Sequence, residues 1–337
     1  MLFFRADANS QIGSGHVMRC LAIANAAREK GIESTFIIAD EEAKELIDNY
    51  EYPTICLSST WNHLDDEIVE LTSLIKELNI NQLFVDSYFV TKVYLSKLKE
   101  LIKIIYLDDI NTFLYPVDVI INYNIYAKNY NYLNKYRNTK LLLGCDYVPL
   151  RKEFQNQRYI VREQVTNILI TTGGTDSYNM SGNLLNTILY KSQYANTNFH
   201  VVVGNFNIHI DNLIDIQQKH SNVKLYKNIK YISKLMKESD LAITAGGSTL
   251  YELCACGVPS ITFSFADNQI DGVVEFHNQN LIYYAGDVRD GINNCIHNID
   301  AKIQELIANK RIRSELSMRM RNMVDGNGAN RIIEHIL

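Results

Sequence analysis

The stretch QLFVDSYFVTKVYLSKLKELIKIIYLDD, residues 82–109, reads as strand, helix, strand. Its two ends, LFVD at 83–86 and IIYLDD at 104–109, are apolar runs closed by carboxylates. A run apolar at consecutive positions suits a strand covered on both faces, as in a parallel sheet. Between them, KVYLSKLKELIK sets Lys92, Lys97, Lys99 and Lys103 along a helical segment, read as a solvated face rather than a membrane-docking one. Two such strands joined by a helix make a βαβ unit.

The alternation extends both ways from this segment. Strands are expected at 2–5, 34–38, 54–57, 82–86, 103–107, 117–121 and 140–143, with helices such as 16–30 and 65–78 between them. In the first of these helices Val17, Cys20, Leu21 and Ala24 recur at i, i+3, i+4 and i+7, one buried face. The scheme restarts with strands at 167–171, 199–203, 223–226, 241–244, 260–263 and 281–284. The changeover falls near 144–154, where Pro149 and a charged RKEF follow the last strand of the first half. A chain of 337 residues also exceeds the roughly 250–300 at which single cores stop growing. The expectation is an α/β protein of two Rossmann-like domains, 1–149 and 150–337, with parallel sheets facing across a ligand cleft. The Asn- and Tyr-rich stretch 122–138 reads as a polar loop or surface helix.

Composition narrows the function. Hydrophobic residues make up 47% and charged residues 21%, too apolar a balance for disorder. Lys+Arg number 33 against 38 Asp+Glu, net −5, which argues against a nucleic-acid-binding protein. Residues 1–150 hold 14 basic and 20 acidic side chains, a balance of −6, and the remainder 19 and 18, a balance of +1. An anionic ligand is better received by the second half. Six cysteines without a CxxC pair, no signal peptide, and apolar runs far short of the roughly 20 residues of a membrane span point to a reduced, cytoplasmic setting.

Six of the 16 glycines stand in three close pairs, Gly13/Gly15, Gly173/Gly174 and Gly246/Gly247. Each pair follows an expected strand and precedes a helix, where backbone N–H groups and a helix start can cradle a phosphate. A tight βα turn explains any one of them equally well; three in corresponding places favour a diphosphate ligand. Neither a Walker loop nor a GxGxxG dinucleotide fingerprint is present. In ITAGGSTLYELCACGVPSI (243–261), Gly246, Gly247, Ser248 and Thr249 are expected to open a helix, with Ser248 or Thr249 as its cap. Glu252 lies one turn on, on the face of Ser248, where a carboxylate could accept the hydroxyls of a ribose or merely favour the helix dipole. In the first half His16 opens the helix after strand one, behind Gly13 and Gly15. A helix start disfavours the imidazolium, so this ring is expected neutral and available as a base. No HxH or HExxH spacing occurs, and Asp65-Asp66 and Asp108-Asp109 read as structural pairs, so neither metal nor cofactor is expected.

Seven segments in order, RADANSQIGSGHVMRCLAIA (5–24), FVDSY (84–88), LLLGCDYVPLRKEF (141–154), ILITTGGTD (168–176), SDLAITAGGSTLYELCACGVPSI (239–261), ADNQ (266–269) and VDGNGANRI (324–332), closely resemble the UDP-sugar hydrolases of pseudaminic acid biosynthesis. That family is related to spore-coat polysaccharide proteins and shares the GT-B architecture of the peptidoglycan N-acetylglucosamine transferase. The resemblance implies metal-free hydrolysis of UDP-2,4-diacetamido-2,4,6-trideoxy-β-L-altropyranose to UDP and the free sugar, and a last helix that returns to the first domain. It assigns catalysis to His16, with Tyr88 and Asn268 near the sugar. Glu252 matches the ribose position; Gly246, Gly247, Ser248 and Thr249 match one phosphate-facing loop, and Gly173, Gly174, Thr175 and Asp176 the other. Arg151 matches an arginine of the linker motif, while Gly13, Gly15, Arg19 and Gln269 complete the expected substrate-binding set. The partner implied is a small UDP-sugar, with no nucleic acid and no membrane insertion. The competing readings are a GT-B glycosyltransferase, a nucleotide-sugar 2-epimerase, and a non-catalytic sugar-nucleotide sensor.

Overall fold

The computed structural model describes residues 1–204 and 206–337. Two compact units divide the chain: Met1–Lys152 together with Gly326–Leu337, and Glu153–Asp325.

The first unit runs β1 (Leu2–Ala6), α1 (Gly15–Glu29), β2 (Ser34–Ile38), α2 (Lys44–Asp48), β3 (Thr54–Cys56) and α3 (Ile68–Glu77). It continues through β4 (Gln82–Asp86), α4 (Lys92–Lys99), β5 (Lys103–Leu107), β6 (Val119–Asn122), α5 (Tyr132–Lys135) and β7 (Lys140–Leu143). The sheet order is β3-β2-β1-β4-β5-β6-β7, every pairing parallel. Side chains of β1 and β4 are almost wholly buried because helices cover both faces, which is why these strands read as unbroken apolar runs. On one face Phe4 stacks between Phe36 and Phe84, at centroid distances of 5.1 and 4.7 Å.

The second unit runs β8 (Asn167–Thr171), α6 (Met180–Ile188), β9 (Asn198–Val203), α7 (Ile210–Lys219), β10 (Val223–Lys227), α8 (Ile232–Glu238) and β11 (Leu241–Ala245). It closes with α9 (Thr249–Cys256), β12 (Ser260–Ser264), α10 (Asp267–Asn278), β13 (Tyr283–Asp287), α11 (Ile292–Ala308) and α12 (Lys310–Met323). Its sheet is also all parallel, in the order β10-β9-β8-β11-β12-β13. The last helix, α13 (Gly328–Ile336), belongs to the first unit, where Ile332, Ile333 and Ile336 enter the core beside Leu21 and Ala24 of α1. Gly328 permits this docking: a Cβ there would fall 2.2 Å from the Val148 carbonyl oxygen and 2.5 Å from its nitrogen.

Both sheets reverse strand order beside their first strand, between β1 and β4 and between β8 and β11. In open α/β sheets ligands bind beyond the carboxyl ends of strands at such switch points. The chain is thus a pair of Rossmann-like units, the α/β class expected.

Four local expectations differ from the structure. β6 begins at Val119 rather than 117, and β13 spans Tyr283–Asp287 rather than 281–284, because Leu281 and Ile282 follow a left-handed Asn280 (φ 54°) as a buried turn. The helix expected at 65–78 opens with a 3₁₀ turn, Leu64–Glu67, before α3. The stretch 122–138 is a surface segment only in part: Lys128, Asn129, Asn134 and Lys135 are exposed, as expected, but Asn122, Tyr132 and Tyr136 are buried. The Tyr132 hydroxyl donates to Asp108, as does that of Tyr115 at 3.1 Å, giving the buried carboxylate the donors it requires.

Candidate functional site

In the first unit, β1 ends in Ala6 and the loop to α1 is held by Asn9. The Asn9 side chain accepts from the Gln11 and Ile12 amides, and its carbonyl accepts from Gly13 at 2.8 Å. Gly13 sits at φ 70°, a conformation that favours glycine, and the chain enters α1 at Gly15. That geometry delivers His16 and Arg19, one turn apart, to the end of the neighbouring strand β4, where Asp86 stands.

The contacts there are tight. His16 Nδ1 lies 2.6 Å from Asp86 Oδ1, and both side chains are almost fully buried. Arg19 donates to both Asp86 oxygens, from Nε and Nη2, each at 2.5 Å. Its Nη1 reaches Asp109 Oδ2 at 2.6 Å and the Tyr123 hydroxyl at 2.8 Å. Asp109 also accepts from Tyr88 Oη at 2.9 Å and from Asn124 Nδ2 at 2.9 Å. The Tyr88 ring meets the His16 imidazole edge-on at 4.5 Å between centroids.

Burial alone would raise the Asp86 carboxyl, but the Arg19 guanidinium and His16 outweigh it and hold the group at about 2. Burial would likewise lower Arg19, and Asp109 and Asp86 together lift it well above its usual range. Burial, with the neighbouring Asp109 charge, raises Tyr88, so its hydroxyl keeps its proton. Asp86 is therefore an ionised, acceptor-only group. At 2.6 Å from it, Nδ1 of His16 must carry the hydrogen, which leaves Nε2 as the ring nitrogen that can exchange a proton with a ligand. The 3.2 Å approach of Arg19 Nη2 to Nδ1 is then proximity between donors, not a bond.

His16, Arg19 and Tyr88 are thus brought together. Asp86, Asp109, Tyr123 and Asn124 join them, and were not expected as site residues. The signal for the two carboxylates lay in their placement at or just beyond the ends of β4 and β5, but their partners lie 67 and 90 residues away in the chain. The Asp108-Asp109 pair is also resolved: Asp108 turns to Tyr132 and Tyr115, Asp109 to Arg19 and Tyr88. Arg151 is half-buried, one residue before the boundary between the units.

In the second unit the expected residues follow three adjacent strands. After β8, Gly173 (φ 83°), Gly174 and Thr175 are exposed. Asp176 is not: its buried carboxylate accepts from the Met180 and Ser181 amides at 2.7 and 3.1 Å, so it caps α6, and its side chain is engaged there. Gly204, which the motif reading missed, lets the exit of β9 press on this loop; a Cβ would lie 2.3 Å from the carbonyl oxygens of Gly173 and Gly174. After β11, Gly246 bonds its N–H to Phe263 O at 2.9 Å and packs where a Cβ would strike Val273 of α10 at 2.3 Å. Gly247 and Ser248 are exposed at the start of α9, with Thr249 and Glu252 half-buried in its first turn. The capping expected of Ser248 is not made by its side chain, which forms no bond to the helix amides. After β12, Asn268 is exposed on the first turn of α10, and Gln269 accepts from the Phe265 amide at 3.0 Å.

Comparison with known proteins agrees with this architecture. Residues 167–336 match the model of the glycosyltransferase family 28 C-terminal domain. The solved structure of MurG from Acinetobacter baumannii superposes with a TM-score of 0.70, covering 99% of this chain and 98% of that one at 12% identity. The fold is GT-B. Among curated sequences, the UDP-2,4-diacetamido-2,4,6-trideoxy-β-L-altropyranose hydrolase of Campylobacter jejuni is 30% identical over 255 residues, 74% of this chain and 86% of that protein. An uncharacterized protein of Methanocaldococcus jannaschii is 28% identical over 269 residues, 76% of this chain but only 54% of its own length. The chain belongs to the UDP-2,4-diacetamido-2,4,6-trideoxy-β-L-altropyranose hydrolase family.

Proposed function

We propose that this chain is an enzyme acting on a nucleotide sugar, and that it hydrolyses UDP-2,4-diacetamido-2,4,6-trideoxy-β-L-altropyranose to UDP and the free sugar in a nonulosonic (pseudaminic) acid pathway. The observation that supports it best is the His16–Asp86 contact: with Nδ1 held 2.6 Å from a buried carboxylate, Nε2 is the ring nitrogen left to take a proton from water, as a general base requires. In the reaction, water attacks the anomeric carbon and gives one proton to Nε2. The bond from that carbon to the phosphate oxygen breaks, and its electron pair leaves with the β-phosphate of UDP. A diphosphate is a good leaving group, so a second carboxyl acting as general acid is less necessary than in ordinary glycosidases. The exposed glycines 173, 174 and 247, with Ser248 and Thr249, are assigned to the diphosphate, Glu252 to the ribose, and Tyr88 and Asn268 to the sugar. No metal or cofactor enters the proposed reaction.

The alternative is a GT-B glycosyltransferase that uses the same nucleotide loops with an alcohol acceptor, and the family 28 domain match is the observation in its favour. Against it stands the −6 balance of residues 1–150, which offers little to an anionic membrane surface. On α4 and after it, Lys99 pairs with Asp118 at 3.4 Å and Lys103 donates to the Ile336 carbonyl. The test is UDP release from the UDP-sugar in buffer alone. Hydrolysis predicts steady release without acceptor, and His16→Ala should cut kcat by about 10²–10⁴-fold with UDP affinity unchanged. Release that begins only when an acceptor alcohol is added would refute hydrolysis, and a His16→Ala rate within a few-fold would refute the base.

A further inference from the structure

We infer that Asp86 is the positioning residue of the reaction, acting through His16. The inference rests on the reading of His16 as the base. Three observations carry it. Asp86 is buried, and its Oδ1 lies 2.6 Å from His16 Nδ1, a bond that fixes both the ring's tautomer and its orientation. Asp86 is itself immobilised: Arg19 grips both of its oxygens, and Arg19 is in turn held by Asp109 and Tyr123. The third observation is the charge count. Two carboxylates, Asp86 and Asp109, face one guanidinium, Arg19, so the cluster holds one excess negative charge while the imidazole is neutral. When Nε2 takes the proton from water, the ring becomes a cation and the cluster becomes neutral. The charge arrangement therefore favours the protonation state that the reaction creates, in a setting where little solvent competes.

The cluster also explains why α1 begins where it does. Asp86 ends β4, and His16 and Arg19 occupy one face of α1 at i and i+3, so a single carboxylate receives both side chains. Sliding α1 by one residue would separate them.

The test is a double-mutant cycle with a spectroscopic control. Asp86→Asn should lower kcat by roughly 10³–10⁴-fold while KM and UDP affinity stay within about threefold, because an amide can present its N–H₂ to Nδ1 and reverse the tautomer. In a His16→Ala background the same substitution should change the residual rate by less than about threefold, since Asp86 then has no ring to orient. Losses that simply multiply would make Asp86 a structural residue and overturn the inference. So would Asp86→Asn retaining kcat within about fivefold while His16→Ala is inactive; that outcome leaves the hydrolase reading standing. A fully active His16→Ala would instead remove the base on which the inference rests. If Asp86→Asn does not fold, ¹⁵N spectra of the histidine-labelled wild-type protein, with His16 assigned from the His16→Ala spectrum, decide the matter without substrate. They should show the Nδ1–H tautomer for His16, and an Nε2–H tautomer would overturn the inference.

Discussion

Replacing Arg19 by Met is the most direct probe of the buried charge cluster. The two side chains are of comparable length, so the substitution removes the guanidinium while leaving an apolar stem in the same groove. Lost with it are two bonds to Asp86, one to Asp109 and one to Tyr123. Breaking a buried pair by deleting one partner costs about 3–5 kcal/mol, most of it the penalty of the charge left behind. The sign of the pH dependence follows from Asp86. In the native protein its carboxyl is held at about 2, below the usual 3.8, so the stability it contributes is complete above pH 4 and is lost as pH falls towards 2. That depression corresponds to roughly 2 kcal/mol. Without Arg19, burial dominates and lifts the carboxyl above its ordinary value, so the variant gains stability as pH falls and the group takes up a proton. The destabilisation relative to the native protein should therefore be about 3–5 kcal/mol at pH 7 and smaller by 1 kcal/mol or more at pH 4.5. Urea unfolding followed through Trp61, the one tryptophan and a residue of the first unit, measures it at both pH values. A variant within 1 kcal/mol of native at pH 7, or one equally destabilised at both pH values, would refute the account of the cluster.

Two more outcomes follow from the second unit and the last helix. Glu252→Ala should weaken UDP binding by about 1.5–3 kcal/mol, the worth of hydrogen bonds to a charged group, in calorimetry at pH 7; unchanged affinity would move the ribose elsewhere. Gly328→Val should destabilise the first unit by about 2–5 kcal/mol, because a side chain cannot share space with the Val148 backbone and α13 must lift its isoleucines from the core. An unaltered melting curve from Trp61 would show that the close approach is dispensable.

What could be read in advance divides along physical lines. The positions of the strands were legible because strands buried on both faces leave unbroken apolar runs, and the glycine pairs because few residues suit a tight exit from a sheet. His16 was legible from its place behind Gly13 and Gly15. Its partner was not, since Asp86 closes an apolar run as Asp109 follows one, and periodicity gives no means of telling which carboxylate meets an imidazole 70 residues distant. The same limit hid the inward turn of Tyr132 and Asn122, whose polar composition suggests solvent until it is seen that Tyr132 donates to the buried Asp108 and Asn122 donates to Tyr132. Asp176 shows the converse: a carboxylate within a glycine loop suggests a ligand, yet it satisfies the amides of the helix that follows.

The return of α13 has a consequence for biosynthesis. A ribosome releases the first 152 residues with a hydrophobic groove along Leu21 and Ala24 still open, then makes all of the second unit before the covering isoleucines emerge. The amino-terminal unit is therefore finished last, and a chain truncated just before Gly328, whose second unit is complete, should be held by chaperones through that groove rather than through the carboxy-terminal sheet.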